Sequence, residues 1–210
     1  MFTSIGLASR EKWGHSAEAR GKFPPMIFDG YGRRKYLTPD ERRRFIAACE
    51  RQPLPQQTFC LLLAYSGCRP SEALELPKCR IDEEMRAVII RSLKKRGKSA
   101  VYRVVPLPDE VLAKLREHSA DLRPGDRLWP WCRTTAWNVV KRVMGALDIS
   151  GAHACPKGLR HSFGVAAIQA GVSLNLVQRW LGHESIETTA IYTNVIGDEE
   201  RLIATRLWDG

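Results

Sequence analysis

Two runs of β-branched residues constrain this chain more than any other feature in it. Segments 86–92 (RAVIIRS) and 101–107 (VYRVVPL) flank LKKRGKSA, a polar stretch containing Gly97. Val and Ile suit a pleated surface. Two such runs around a short Gly-bearing connector read as an antiparallel β-hairpin with a basic tip. A short strand over 79–82 would complete a three-stranded sheet. The rest of the chain from Thr38 onward reads as helical. Thr38 is followed by Pro39 and Glu41, which gives a Thr cap, Pro in the first helical position and a carboxylate three residues on. A helix over 56–65 should end at Gly67, because Gly accepts the left-handed conformation after a helix. Pro70 then opens PSEALEL. Further helices are expected over 109–119, 134–146, 159–170 and 173–181, another from 186 onward, and a short last one over 198–207. The fold class is mainly α with a small three-stranded antiparallel β-sheet.

Residues 1–35 mix Gly, Ser, Pro and charge without a period, and end in Arg33, Arg34 and Lys35. They read as an irregular basic N-terminal arm ahead of one domain over 36–210. Lys and Arg total 33 against 23 acidic residues, a formal net charge of +10. That balance points to a polyanionic partner, against the plainer reading of a merely basic protein. The six cysteines form no CxxC pair, and no secretory leader precedes them. They fit neither a zinc site nor a disulfide framework, so reduced thiols in a cytoplasmic protein are expected. The longest apolar run, near 59–65, is too short to span a membrane.

Three features suggest one phosphate-handling site. Arg69 stands at the break between two helices, where its guanidinium could fork two donors onto a phosphate. Its alternative is a surface ion pair with Glu72. Lys157 and Arg160 are three residues apart and can point the same way at a helix start. Their alternative is a solvated basic cap. Gly182 ends a helix and frees His183, and Tyr192 follows nine residues later with Thr188 four before it. Taken alone, Tyr192 is as readily an ordinary core or surface aromatic.

SGCRPSEAL, the Lys-rich hairpin, GLRHSFG and LGHESIETTAIYTN, in that order, resemble the motifs of the tyrosine recombinases, also called the phage integrase family. The resemblance covers about residues 36–200. It implies that Tyr192 attacks a DNA phosphate to give a 3′-phosphotyrosine, and that Arg69, Arg160 and His183 stabilise the transition state. Lys94 best matches the hairpin lysine that protonates the leaving 5′-oxygen, with Lys95 next and Lys98 third. It further implies double-stranded DNA as substrate, a homotetramer on paired sites, and no cofactor, since the phosphodiester's energy is kept in the tyrosine link. Type IB topoisomerase-like relaxation and a DNA-binding accessory protein that no longer cuts are the alternatives.

Two departures matter. The family's second box usually reads His-x-x-Arg, and here it reads Lys-x-x-Arg. Lys157 can still donate to a phosphate but lacks imidazole's ability to exchange protons near neutral pH. Neither His153 nor His161 stands in the vacant position, and His161 is expected to pack beneath the site. The second departure is size: 35 irregular residues cannot build the separate N-terminal core-binding domain most members carry. The short layout resembles the small recombinases that invert fimbrial promoter segments. Arg69 and Arg160 are both expected to face DNA, so that removing either should change folding little.

Overall fold

The computed structural model of the protein describes residues 27–93, 100–194 and Thr205. Lys94, Lys95 and Lys98 of the expected hairpin tip, and all but Thr205 of the helix expected over 198–207, lie outside the described residues.

Helix α1 (Pro39–Cys49) begins as its sequence dictates. Thr38 Oγ1 accepts from the Glu41 backbone N–H at 3.2 Å, and Glu41 Oε2 accepts from the Thr38 N–H at 2.8 Å. Helix α2 (Leu54–Ser66) is buried without interruption from Gln57 to Ala64. A helix apolar on every side belongs in the middle of a fold, and α2 packs against α1, α4 and α6. It ends at Gly67, which has φ 60°. Helix α3 (Pro70–Leu74) follows at once.

The hairpin is present. Strands β1 (Ile81–Asp82), β2 (Ala87–Ser92) and β3 (Val101–Pro106) form an antiparallel sheet in the order β1-β2-β3. Ile90 stands opposite Arg103, and Ser92 opposite Val101. Strand β3 alternates, with Arg103 and Val105 facing inward. Lys78–Arg80 form a 3-10 turn, so only the second half of the strand expected over 79–82 is present. The helical half then runs through α4 (Asp109–His118), α5 (Arg133–Gly145), α6 (Pro156–Gln169), α7 (Leu174–Leu181) and α8 (Glu187–Ala190).

Two expectations are corrected here. Helix α6 starts at Pro156, ahead of the expected 159, because proline is suited to the first helical position. The helix from 186 onward stops at Ala190, and Ile191–Asn194 form a 3-10 turn, so Thr188 and Tyr192 do not share one α-helix.

Two apolar clusters result. The larger one surrounds α2 and collects Phe45, Phe59, Leu62, Val88, Leu115 and Trp129. The indole N–H of Trp129 donates to Pro55 O at 2.9 Å. The smaller one holds Ile27, Phe163, Val165, Val177, Leu181, Ile191 and Tyr192. Ile27 falls within the segment read as an irregular arm, yet it is buried, and Lys35 N–H donates to its carbonyl at 2.7 Å. Among the described residues no helix is long and apolar enough to cross a membrane.

Candidate active site

Arg69, Lys157, Arg160, His183 and Tyr192 line one cleft of about 670 Å³, although 123 residues separate the first from the last. Each is placed by a helix end. Arg69 immediately precedes α3, and its neighbour Glu72 reaches back to it. The Glu72 carboxylate accepts from the Arg69 backbone N–H at 2.9 Å and from Arg69 Nη1 at 2.8 Å. It also accepts from Arg103 Nη2 at 2.6 Å. The ion pair offered as the alternative to a phosphate role therefore exists, but Glu72 is buried. Burial pushes the Glu72 carboxyl up, and Arg103 and Arg69 outweigh that and hold it below the usual carboxylate range. It stays charged and aims Arg69 from beneath.

Lys157 and Arg160 occupy the first turns of α6, with Lys157 exposed and Arg160 buried. Arg160 Nη1 donates to Gly67 O at 2.7 Å, and Nη2 to Leu181 O at 2.8 Å. Those carbonyls close α2 and α7, so one guanidinium satisfies the ends of two helices. The expectation that removing Arg160 changes folding little is thereby corrected: loss of Arg160 would orphan two buried acceptors.

Gly182 ends α7 with φ 66°, and the chain turns out at His183 as expected. His183 Nδ1 lies 2.9 Å from Thr189 Oγ1, and its ring stacks on Tyr192 with centroids 6.3 Å apart. Burial, then the charges of Arg160 and Arg69, pushes the imidazole down to about 3, so it is neutral at pH 7. Tyr192 is 1% exposed. Burial pushes its phenol up to about 12, against the pull of Arg160 and Arg69. The cleft therefore carries four cations, Arg69, Arg133, Lys157 and Arg160, two of them on buried or half-buried guanidinium groups, and a protonated phenol. That is an anion site with a potential nucleophile in it.

Sequence reasoning missed several participants. Glu72 looked like a surface partner. Arg103 was not singled out, though its inward phase in β3 is a readable signal of a buried charge. Its Nε donates to Trp180 O at 2.7 Å and its Nη1 to Ser92 Oγ at 3.1 Å, which ties the sheet to α7. Gly164, in mid-α6, makes room for the nucleophile: a Cβ there would sit 2.5 Å from the Tyr192 ring. Trp137 on α5 lines the cleft while 47% exposed, beside Arg133. Of the other two histidines weighed, His161 lines the cleft. His153 points elsewhere, 3.6 Å from Glu41. Among the described residues, no group of three or more His, Cys, Asp or Glu could hold a metal ion.

A profile of the phage integrase family matches residues 35–198, a span that includes the hairpin, the cleft and Tyr192. The fold is that of a tyrosine recombinase catalytic domain. The chain belongs to the phage integrase family. It is 31% identical over 195 residues to tyrosine recombinase XerA of Thermococcus onnurineus, covering 87% of this chain and 65% of that protein. With tyrosine recombinase XerD of Caulobacter vibrioides it shares 32% identity over 183 residues, 78% of this chain and 58% of the relative. The crystal structure of XerA recombinase matches at TM-score 0.69 and 25% identity, over 81% of this chain and 64% of the other. XerH bound to palindromic difH substrate, a post-cleavage complex, shares the fold at TM-score 0.73 and 22% identity, over 92% of this chain and 56% of the other. The chain thus spans less than two thirds of the length of these relatives.

Proposed function

We propose that this chain is a site-specific DNA recombinase that cleaves and rejoins double-stranded DNA through a 3′-phosphotyrosine on Tyr192. The observation that carries the reading is the convergence of Arg69, Lys157, Arg160, His183 and Tyr192 in one cleft.

In this reading a DNA phosphate enters the cleft and is gripped by Arg69 and Arg160. Both guanidinium groups are already held, by Glu72 and by two helix-end carbonyls, so little reorganisation is needed when charge builds on the phosphorus. Lys157 adds a donor at the exposed rim. Neutral His183, its Nδ1 engaged by Thr189, offers Nε2–H to a non-bridging oxygen. The Tyr192 oxygen attacks phosphorus as the 5′-oxygen leaves, and Lys94 on the hairpin tip protonates that leaving oxygen. Religation reverses the steps. No metal or nucleotide enters this scheme, because the phosphodiester's energy is retained in the Tyr192 link. The catalytic domain is residues 36–210, with Ile27 and Phe28 packed against it. Strand exchange proceeds between paired sites in a homotetramer, in the cytoplasm, where the six cysteines stay reduced.

The test lets the protein select its own target. A pool of nicked suicide duplexes with a randomised central segment is incubated with the protein, and covalent adducts are recovered from a denaturing gel and sequenced. A recurring adduct that disappears with Tyr192→Phe supports the reading. Absence of any covalent adduct removes it. Relaxation of supercoils by the same protein, without joining of two selected sites, would replace it with a topoisomerase activity.

A further inference from the structure

The second box of this chain carries Lys157 where a proton acceptor for the nucleophile would be expected. A lysine ammonium offers three donors and no acceptor. The Tyr192 hydroxyl instead meets a different imidazole: its oxygen lies 3.2 Å from His161 Nδ1, with ring centroids 5.8 Å apart in an edge-on arrangement. His161 follows Arg160 on α6, is buried, and lines the same cleft. Its other nitrogen, Nε2, is buried without a hydrogen-bond partner among the described residues. Buried polar atoms are rarely left unpaired, and one sitting behind the ring nitrogen that meets the nucleophile calls for a functional reason. The same pair is wedged from behind, because the Tyr192 ring rests on the bare backbone of Gly164, three residues along α6 from His161.

We propose that His161 is the proton acceptor for Tyr192, taking over the task that Lys157 cannot perform. The inference rests on the strand-cleavage reading above. In the forward step the Tyr192 Oη–P bond forms and the P–O5′ bond breaks. The phenolic proton passes to His161 Nδ1, and the 5′-oxygen takes its proton from the hairpin lysine. In religation the 5′-hydroxyl re-forms the P–O5′ bond and gives its proton back to the hairpin lysine, while the Tyr192 Oη–P bond breaks and His161 returns the proton to Tyr192.

The surroundings suit a base that works only when substrate is present. Burial, then the charges of Lys157, Arg160 and Lys35, pushes the imidazole down to about 4. Among the described residues, His183, also neutral, and Tyr192 are its further titratable neighbours. In the free protein the imidazole is therefore neutral, and the tautomer with its proton on Nε2 leaves Nδ1 to accept the phenolic hydrogen bond. A phosphodiester bound among Arg69, Lys157 and Arg160 offsets the repulsion that keeps the imidazolium from forming, so proton uptake becomes easier as DNA docks.

Asparagine tests this directly, because its Oδ1 replaces Nδ1 as an acceptor but cannot take up a proton. With a duplex that the parent protein cuts, His161→Asn should form the covalent adduct about 100-fold more slowly. Duplex binding and thermal melting should stay at parental values. The parent's cleavage rate should rise with pH to a plateau, and the variant should lack that rise. His161→Ala should recover cleavage on addition of free imidazole, which a merely structural role would not allow. His161→Asn cutting within threefold of the parent overturns the proposal, as does slow cutting that keeps the parental pH profile and shows no imidazole rescue in His161→Ala. Failure of the parent itself to form any adduct would instead remove the strand-cleavage reading.

Discussion

The cluster around α2 and the cluster beneath the cleft are both buried, but they are built on opposite principles. Around α2, Phe45, Phe59, Leu62, Leu115 and Trp129 fill space with carbon, and polar groups there mostly pair with nearby backbone, as Ser66 Oγ does with Leu62 O at 2.6 Å. Beneath the cleft, apolar side chains support Tyr192, His161, Arg160, Glu72 and Arg103, every one of them a buried or nearly buried titratable group. The first region gains stability from removing carbon from water. The second gives part of that up to hold charges and dipoles in fixed directions, which is what a site that must meet an anion requires. The comparison teaches where each kind of substitution should register.

The sharpest separation comes from Tyr192→Phe. The ring still rests on Gly164 and stacks with His183, so folding should change by no more than about 1 kcal/mol, the worth of one hydrogen bond. Covalent attachment to DNA should disappear altogether. A surviving adduct on a denaturing gel would take the nucleophile's role from Tyr192. The reciprocal change is Phe59→Ala in the α2 cluster. It should cost about 3–5 kcal/mol in denaturant unfolding, while the cleavage rate per folded molecule stays at the parental level. A Phe59→Ala protein that folds normally but cuts slowly would show that the two regions are not separable.

Arg160→Ala should break the division from the other side, because Arg160 serves both regions. Cleavage should fall by about 10²-fold or more, from loss of a preorganised donor. Stability should fall by about 2–4 kcal/mol, from two orphaned carbonyls at roughly 1–3 each, partly relieved by water. Unchanged melting would mean that the bonds to Gly67 and Leu181 are dispensable. Gly164→Ala is subtler. Helix propensity alone favours alanine by about 1 kcal/mol, yet the new methyl would displace the Tyr192 ring. We expect cleavage to drop by roughly tenfold, a placement error of the kind that shifts a reacting atom by a fraction of its reach.

The smallest effect concerns the seam between the regions. Arg34, in the segment that carries Ile27, pairs with Glu41 on α1, with Nη2 to Oε1 at 2.7 Å, and Leu37 N–H donates to Ser162 Oγ at 2.6 Å. The Arg34 hydrogen bond holds the Glu41 carboxyl down at about 2 against its ordinary 4.5. A carboxyl depressed in the folded state stabilises the fold above its unfolded pKa, and that contribution is lost as pH falls from 4.5 toward 2. The pair is partly open to solvent, so its worth is about 1 kcal/mol or less. Unfolding followed across that range should show a shallower acid dependence in Glu41→Gln than in the parent. An identical acid profile would place the acid sensitivity elsewhere.

The α2 cluster was largely readable from sequence, because what builds it is local. The Thr38–Glu41 capping box, Gly67 after an apolar helix, and the two β-branched runs each state their own geometry. Arg69, Lys157, Arg160, His183 and Tyr192 were found through ordered motifs, and the cleft does bring them together. What could not be read was direction. Nothing local to Glu72 says that its carboxylate is buried between Arg69 and an arginine on a distant strand. Nothing near His161 says that its Nδ1 faces a phenol 31 residues away. Those facts exist only once α6, α7 and the sheet are packed against each other. Arg103 is the intermediate case: strand alternation turns it inward, but only the fold supplies its partners.

Arg160 also bears on how such a site could be moved or remade. Its guanidinium is aimed by the carbonyl of Gly67, which caps α2, and by the last carbonyl of α7, both of them backbone groups. A designer who carried Arg160 and Tyr192 alone onto another helical scaffold would keep the reactive groups and leave behind what points them. The smallest portable unit is α6 together with two helix endings, arranged so that both carbonyls converge on one point. For the same reason, what must survive drift in the surrounding sequence is the placement of those two endings, which at Gly67 means keeping a glycine, since its φ of 60° and the closeness of Phe163 leave no room for a Cβ.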